Sequence, residues 1–365
     1  MLEMDKTKSN VRTCKEMLLE FKNLKNRDIS SKLLFDGIEN EDVYNITAPF
    51  LFEGKRYLAG RVEKRTEEWS RVVFFMEENE KWIADNSIPS LPLQDPFVTQ
   101  VNGEFIVGGV EVFDDVENPG MLNYRTNFYR GNSLRSLTLF AKGPDRMKDI
   151  RLLQLEKNQI LVMTRPQGSI FVNGKRYEAG RGKIGYTILH SLNELTPEAI
   201  LDATIFDDQF ISEEWGGCNQ LFMLDDGNVG ILSHIARFDE TGNRHYYSSA
   251  FCMNPQTGEH TPMKLIAVRD NFALGDAKRP DLTDVIFSGG LERNKNKKAM
   301  LYCGVSDAQV LAAEHIHRRH AERKVRLLDR AAADLFKRHI FVCGVKADPQ
   351  ILIHIHLQIA AIRQR

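Results

Sequence analysis

The chain has 365 residues, of which 42% are hydrophobic and 27% are charged, and its formal net charge is −1. This length is sufficient for one large core or two domains, and the near-neutral charge lacks the basic surplus of nucleic-acid-binding proteins. Because no apolar run reaches membrane-spanning length and the charged N-terminal sequence lacks the apolar core of a signal peptide, we expect neither a nucleic acid nor a membrane as partner.

The cysteines indicate the compartment. There are five of them, scattered along the chain without a CxxC pair. An odd number at irregular spacing is not typical of a disulfide scaffold or of a structural zinc site. We therefore expect a cytoplasmic protein that holds no metal.

Residues 10–24 show helical periodicity, and the next such pattern occurs only in the C-terminal tail. Between them, short apolar segments alternate with tight polar turns. These segments are Phe50–Gly60, Val72–Ala84, Leu93–Gly109, Arg151–Arg165, Ile170–Gly180, Gln220–Ile235 and Val285–Val305. Repeated hairpins at this spacing are typical of propellers, whose blades contain about 40–50 residues. The pattern predicts an all-β protein built by radial repetition.

The segment Leu93–Gly109 is the most informative of these hairpins. Its turn, Asn102-Gly103, is the strongest short-range hairpin signal that a sequence offers. Asp95 stands immediately before Pro96, and a proline favours extended geometry in the residue that precedes it. We therefore expect an extended Asp95 at the entrance of the hairpin, where its carboxyl group points into a pocket. An Asp-Pro pair that merely starts a turn is the alternative.

The composition changes near Asp307. The sequence beyond it is rich in arginine and contains six of the ten histidines of the chain. We therefore predict an N-terminal helical segment in 1–30, a propeller in 31–308 and an atypical basic tail in 309–365 that is not native propeller sequence. Metal binding by the histidines and a basic interaction helix are alternatives for the tail. Its first alternating strand is expected only at Ile351–Ile362, which is an alternative candidate for closing the propeller.

Seven short motifs follow one another in order through the predicted propeller. They are Asn45 in YNITAPF, Arg61 in AGRVEKR, Asp95 in QDPFVT, Lys148-Asp149 in MKDIRLLQL, Arg165 in MTRPQG, His234 in GILSHIA and Asp307 in LYCGVSD. The series resembles the five-bladed-propeller β-mannoside phosphorylases. It resembles more closely the related dual-activity β-1,2-mannosyltransferase/phosphorylases, once catalogued as a domain of unknown function. The resemblance implies five blades; the tail departs from the family, in which a short closing strand is expected.

The resemblance also implies roles for these residues. Asp95 corresponds to the general acid of the family. The phosphate-binding positions correspond to Lys148, Asp149, Arg165 and His234. The positions that hold the sugar in the cleavage subsite correspond to Asn45, Arg61 and Asp307. The family often has Arg-Asn where this chain has Lys148-Asp149, and an acid beside a phosphate is unfavourable.

The residue types suit this chemistry. Inverting hydrolysis needs an acid and a base about 6.5–9.5 Å apart, whereas a phosphorylase needs only the acid because phosphate is already anionic. Cations then replace the base and orient the nucleophile. The resemblance, which this chemistry fits, implies reversible, inverting phosphorolysis and synthesis of β-mannosides. Its substrates are mannosides or mannose 1-phosphate, nucleotide-activated mannose is a further possible donor, and inorganic phosphate is a co-substrate without any other cofactor.

Two other functions remain open at this point. A hydrolytic propeller glycosidase needs a second carboxylate, for which the candidates are Glu63, Glu111 and Glu214. A sugar-binding or interaction propeller needs no catalysis, since fold does not imply function.

Individual residues also have structural interpretations. His234, in an apolar strand, is alternatively a buried core histidine. The alternating charges at Arg61, Glu63 and Arg65 indicate either a solvent-facing ladder or a substrate-facing stripe. The glycines in 215–219 allow either close approach of a sugar or a β-bulge.

Overall fold

The structure is a computed structural model that describes residues 11–23, 29–67, 69–116, 118–172, 174–293 and 299–314. Strands make up most of the regular secondary structure of these residues, so the predicted all-β class is confirmed. The two α-helices of the described part are α1 (Cys14–Lys22) and α2 (Pro197–Leu201). No helix among these residues is both long and apolar enough to cross a bilayer.

Helix α1 is the predicted N-terminal helix, and its start follows from local sequence. The side chain of Thr13 accepts a hydrogen bond from the backbone N–H of Glu16, and the Glu16 carboxylate accepts one from the N–H of Thr13. This reciprocal capping box satisfies two backbone donors that a helix start leaves free. The helix buries Cys14 and Phe21, and the backbone N–H of Cys14 donates to the Glu214 carboxylate at 2.8 Å. Helix α1 is therefore docked against the strand that carries Glu214.

The strands are numbered in chain order. They are β1 (Ile29–Lys32), β2 (Phe35–Asp36), β3 (Asp42–Tyr44), β4 (Phe50–Phe52), β5 (Lys55–Glu63), β6 (Arg71–Glu78), β7 (Lys81–Ala84), β8 (Gln94–Val101), β9 (Glu104–Asp114), β10 (Leu122–Gly131), β11 (Thr138–Lys142), β12 (Arg151–Gln154), β13 (Ile160–Thr164), β14 (Ser169–Val172), β15 (Lys175–Glu178), β16 (Gly185–Leu189), β17 (Thr204–Ile205), β18 (Glu214–Met223), β19 (Val229–Phe238), β20 (Arg244–Met253), β21 (Lys264–Ala267), β22 (Asp284–Arg293), β23 (Ala299–Val305) and β24 (Gln309–Glu314).

Consecutive strands pair into antiparallel groups. β3 to β7 form the first, to which β2 adds in parallel, and β8 to β11 form the second. β12, β13, β16 and β17 form the third, and the separate hairpin β14–β15 lies between β13 and β16 in the sequence. β18 to β21 form the fourth, and β22 to β24 with β1 form the fifth, joined to the fourth by parallel pairing of β20 with β22. Apolar side chains fill the space between groups, as where Phe74 of β6 clusters with Phe105 of β9.

One strand of each group contacts a strand of the next group: β5 contacts β8, β8 contacts β12, β12 contacts β18, and β18 contacts β22. Three of them carry bulges, at residues 94–97 of β8, 218–220 of β18 and 288–290 of β22. A bulge turns side chains away from the regular alternation and often does so beside a functional site. The bulge of β8 lies in the motif that contains Asp95, and the bulge of β18 overlaps the glycine-containing stretch 215–219.

Strand β24 corrects the predicted boundary after residue 308. It follows directly after the turn that contains Asp307 and pairs with β23 on one side and with β1 on the other, where Lys32 is opposite Leu311. The expectation of no strand before Ile351 is therefore wrong. All four residues from Val310 to Ala313 are buried, so the strand has no polar face and shows no alternation in the sequence. The remaining tail, from residue 315 onward, lies outside the described residues.

This closure predicts the effect of truncation. Ending the chain after Ala308 removes β24, so β1 and β23 lose their shared partner and expose two strand edges. We expect that variant to aggregate or to melt at a lower temperature than the full chain. A matched truncation after Glu314 keeps the strand and should melt close to the full chain. Size-exclusion chromatography and thermal melting compare the two, and equal behaviour would contradict a closing role for β24.

Candidate active site

Asp95 is buried at the bulge of β8 and is held by two neighbours. Asn45 Nδ2 donates to Asp95 Oδ1 at 2.8 Å, and Arg61 Nη1 lies 3.2 Å from the same oxygen. Among the described residues, no hydrogen bond reaches Asp95 Oδ2. The carboxyl group is thus fixed through one oxygen and has the other available for a ligand or a proton.

The backbone at Asp95 differs from the prediction. Its φ is +48°, which is left-handed rather than extended, so the geometry expected from the following proline is wrong. Three other motif residues share this conformation: Asn45, Asp149 and Asp307. Left-handed backbone costs energy for residues other than glycine, although Asn and Asp tolerate it best, and such strain concentrates at functional sites. Pairing of Asp95 with Asn45 and Arg61 across neighbouring strands stabilises the strained bulge.

Arg61 and Glu63 form a buried network rather than a solvent-facing ladder. Arg61 is 6% exposed and Glu63 is 1% exposed, and Arg61 Nη2 lies 2.7 Å from Glu63 Oε2. Further donors to the Glu63 carboxylate are Tyr44, Ser70 and Lys278. Arg65, by contrast, lies beyond the end of β5 and is exposed. Since Glu63 already accepts this set of hydrogen bonds, its carboxylate is engaged in holding Arg61.

Asp307 lies in the turn between β23 and β24, near the same charges. Burial raises the pKa of its carboxyl group; Arg61 opposes the rise and the Asp95 carboxylate adds to it. We call Asn45, Arg61, Asp95 and Asp307 the acid cluster. The structure brings these four predicted residues together from three different strand groups.

A second set of predicted residues gathers around Asp149. Arg165 Nη1 lies 3.3 Å from Asp149 Oδ2, and Arg165 Nε donates to the backbone oxygen of Gly216 at 2.9 Å. His234 Nε2 lies 3.8 Å from the same Asp149 oxygen. Lys148 is half-buried and makes no hydrogen bond or ion pair with any residue that the structure describes. We call Lys148, Asp149, Arg165 and His234 the anion cluster.

The glycine-containing stretch 215–219 leads into a β-bulge in β18, one of the two interpretations offered by the sequence, and this bulge supports the anion cluster. Asn219 is the extra residue of the bulge, and its Oδ1 lies 2.9 Å from His234 Nδ1. A Cβ atom on Gly217 would come within 2.7 Å of Asp149 Oδ2 and 2.9 Å of His234 Cε1. Only glycine therefore leaves room for these side chains. The ring of Tyr246 stacks on His234 with centroids 5.7 Å apart.

The charges of the anion cluster follow from burial and pairing. Burial raises the pKa of Asp149, but Arg165, His234 and Lys148 together lower it to about 2. Burial lowers the pKa of His234 to about 3, although Asp149 opposes this effect. Asp149 is thus a carboxylate and His234 a neutral imidazole near neutral pH. The unpaired ammonium of Lys148 leaves the cluster with a net positive charge.

The lowered pKa of His234 predicts acid sensitivity. The unfolded chain binds a proton at this histidine below its ordinary pKa of 6.5, whereas the folded chain does so only near 3. Its stabilising contribution is therefore complete above pH 6.5 and is lost as the pH falls towards 3, by about 1.4 kcal/mol per pH unit. Urea unfolding at pH 4.5–6.5 should show a shallower pH dependence for His234→Gln than for the parent. His190→Gln, at an exposed site, is the control, and equal slopes in all three proteins would contradict the buried neutral state.

The motifs did not identify every residue of the site. Arg151 is buried near both clusters. Tyr44 donates a hydrogen bond to Glu63, and the side chain of Asn219 contacts His234. Arg151 lies inside the motif MKDIRLLQL, where a charge in an otherwise apolar strand was the available signal. Tyr44 stands directly before the motif asparagine Asn45. Asn219 gave no local signal, because its role depends on the bulge.

Each of the three candidate bases for hydrolysis is already bound to another part of the protein. Glu63 is engaged by the network described above, and Glu111 accepts a hydrogen bond from Arg125 Nε at 2.7 Å. Glu214 binds the first residue of helix α1. In the described part of the chain, no group of three or more His, Cys, Asp or Glu side chains is placed to hold a metal ion.

A profile of the protein family described as "Protein of unknown function (DUF1861)" matches residues 20–316. The chain belongs to this family. The matched range contains both clusters and extends past residue 308 to include β24, which agrees with the corrected boundary. No curated protein matches the chain significantly.

Solved structures resemble the chain over most of its length. MPT-4, a mannose phosphorylase from Leishmania mexicana in complex with a phosphate ion, is 33% identical with a TM-score of 0.73, covering 82% of this chain and 92% of that chain. MPT-1, a GDP-Man-dependent mannosyltransferase from Leishmania mexicana, is 30% identical with a TM-score of 0.73, covering 84% and 95%. A glycosyl hydrolase from Bacteroides ovatus, 12% identical over 76% and 85% with a TM-score of 0.51, shares the fold alone. The predicted resemblance to a former domain of unknown function is confirmed.

Proposed function

We propose that this protein is a carbohydrate-active enzyme that makes and breaks β-mannosidic bonds. Phosphorolysis releases mannose 1-phosphate with inversion, and the reverse reaction elongates a mannoside. The observation that carries this proposal is the pairing of an available carboxyl oxygen, at Asp95, with a separate cluster that contains the cations of Lys148 and Arg165. Inorganic phosphate is the co-substrate, and no other cofactor enters the reaction.

Asp95 acts as the general acid. Asn45 and Arg61 hold its Oδ1, so the carboxyl plane is fixed before the substrate binds and Oδ2 faces the leaving oxygen. General acid catalysis of this kind contributes about 10²–10⁴-fold when the proton donor is held within hydrogen-bond reach. Asn45, Arg61 and Asp307 also hold the mannose in the cleavage subsite.

The anion cluster binds the attacking phosphate. Arg165 presents a planar guanidinium, which suits phosphate oxygens, and Lys148 adds an unpaired positive charge. Asp149 orients Arg165 through their 3.3 Å ion pair, which gives a role to the acid that is unfavourable beside phosphate. A hydrolase has no use for such an anion site, and the three candidate bases are engaged elsewhere.

The scaffold is a five-bladed β-propeller. Five antiparallel groups of strands follow one another in sequence, and one strand of each group contacts a strand of the next, as in blades around a channel. Both clusters lie on or beside these strands, which supports an active site at the channel. The thiols of Cys14, Cys218 and Cys303 form no disulfide within the described part of the chain, in keeping with a cytoplasmic location.

A second donor, nucleotide-activated mannose, is favoured by one observation. MPT-1, at 30% identity, is a GDP-Man-dependent mannosyltransferase, whereas MPT-4, at 33%, is a mannose phosphorylase. The chain is similar to both to the same degree, so we include transfer from a nucleotide-mannose in the proposed activity.

Phosphate dependence is the decisive assay. The protein is incubated with short β-1,2-mannosides with and without phosphate, and mannose 1-phosphate and free mannose are quantified. We expect mannose 1-phosphate only when phosphate is present. A parallel reaction with GDP-mannose and a mannose acceptor tests the transferase activity. Free mannose in both conditions would indicate a hydrolase, and sugar binding by calorimetry without any turnover would indicate a binding protein.

A further inference from the structure

Arg151 is a buried cation to which neither the motifs nor the reaction assigns a role. It begins β12 and is 3% exposed. Its Nε donates to the backbone oxygen of Asn219 at 2.9 Å and its Nη1 to that of Ile150 at 3.1 Å. No carboxylate of the described residues lies within 4.0 Å of its guanidinium. A buried charge without an ion-pair partner is costly, and a protein keeps one where it has a function.

The position of Arg151 connects the two clusters. Its guanidinium lies 5.0 Å from the ring of Phe97, which follows Asp95 by two residues in β8. On its other side it binds Asn219, whose side chain contacts His234. The charge of Arg151 acts on both Asp95 and Asp149. A nucleophile bound at the anion cluster and aimed at a sugar beside Asp95 therefore lies within the field of this guanidinium.

The charge balance of the anion cluster indicates what Arg151 adds. Lys148 and Arg165 supply two positive charges, of which Asp149 cancels one. His234 is buried and neutral. The cluster by itself thus offers a single net positive charge, which matches a monoanion. Arg151 raises the local sum to two, which matches a doubly charged anion.

We propose that Arg151 is a positioning residue that supplies the second positive charge for a dianion bound by Lys148 and Arg165. The anion subsite therefore selects dianions, such as hydrogen phosphate and sulfate, over monoanions of similar size. This inference rests on the proposed function, since it names the charge state of the anion that the same site accepts.

Thermal shift assays test this inference without turnover. The melting temperature of the full chain is measured against increasing phosphate, sulfate and nitrate at constant ionic strength. Three variants are compared with the parent: Arg151→Gln, which is neutral but retains a donor, Arg151→Lys, which retains the charge, and Arg130→Gln. Arg130 is the matched control because its guanidinium also stacks on a phenyl ring, that of Phe140 at 5.1 Å, but belongs to neither cluster.

We expect phosphate and sulfate, but not nitrate, to stabilise the parent. Arg151→Gln should weaken phosphate binding by about tenfold or more, because two unit charges several ångströms apart inside a protein interact at least that strongly. Arg151→Lys should remain within a few-fold of the parent, as should Arg130→Gln. Equal affinity of the parent and Arg151→Gln would overturn the inference. Equal losses in Arg151→Lys and Arg151→Gln would also overturn it, because hydrogen bonding rather than charge would then be decisive.

The parent protein provides a test that does not depend on the folding of any variant. If nitrate stabilises it as strongly as sulfate does, the site does not select dianions and the inference is wrong. The outcome is also separable from the proposed function. Phosphate binding that requires Arg151 in a protein that releases no mannose 1-phosphate would overturn the enzymatic proposal alone, whereas phosphorolysis with an unchanged phosphate KM in Arg151→Gln would overturn the inference alone.

Discussion

Asp95→Asn is expected to lower turnover by about 10²–10⁴-fold while sugar binding survives. The asparagine keeps the size of the side chain and an oxygen that accepts from Asn45, but it has no acidic proton to donate. The loss should therefore appear in kcat, with little change in the KM for the mannoside. Initial rates of mannose 1-phosphate release measure both values.

The matched control is Asp85→Asn. Asp85 is a half-buried carboxylate that accepts a hydrogen bond from Tyr57 at 2.8 Å in another network, so the same chemical change there should leave turnover near the parent value. Near-normal turnover of Asp95→Asn would remove Asp95 from the mechanism. A collapse of mannoside binding would instead assign it a purely structural role in the acid cluster.

Arg165→Met is expected to impair both phosphate use and stability. Loss of a charge-assisted contact costs about 1.5–3 kcal/mol, which corresponds to a roughly tenfold to hundredfold rise in the KM for phosphate. Removing one partner of a buried ion pair also costs about 3–5 kcal/mol of stability, because the Asp149 carboxylate remains buried without its guanidinium. Phosphate-dependent kinetics and urea unfolding measure the two effects.

The double variant Arg165→Met/Asp149→Asn separates the effect on phosphate use from the effect on stability. It removes the stranded carboxylate, so its free energy of unfolding should recover most of the loss, whereas the proposed contact of the guanidinium with phosphate remains absent. If Arg165→Met keeps the phosphate KM of the parent, the anion subsite lies elsewhere and the phosphorylase proposal loses its main physical support. An unchanged stability would show that the Asp149–Arg165 pair is not buried as described.

Local elements were predictable because their causes lie within a few residues. The capping box of α1 needs only Thr13 and Glu16, three positions apart. The turn between β8 and β9 needs two adjacent residues that accept positive φ, and Asn102 and Gly103 have φ of +53° and +81°. Such interactions form in the chain segment itself, so turns and strands were visible without knowledge of their neighbours.

The site was predictable only as a set of residues, through the order of its motifs. Asp95 and Asn45 are separated by 50 positions in the sequence, and no local pattern indicates that they share a hydrogen bond. The left-handed backbone at Asp95 opposes the usual preference of a residue before proline. Pairing with Asn45 and Arg61 across strand groups stabilises that conformation, so it depends on the whole fold.

The all-β class, the hairpins, the helix near the N-terminus and the residue types of the site could therefore be predicted from the amino-acid sequence. The fold as a whole was needed to show that β24 pairs with β1, that Asn219 bulges to meet His234 and that Arg151 is buried against the backbone of that bulge. The physical reason is the separation in sequence between the residues that interact. Turns and caps are stabilised by contacts between neighbours in the chain, whereas buried strands and buried charges are stabilised by partners that only folding brings near.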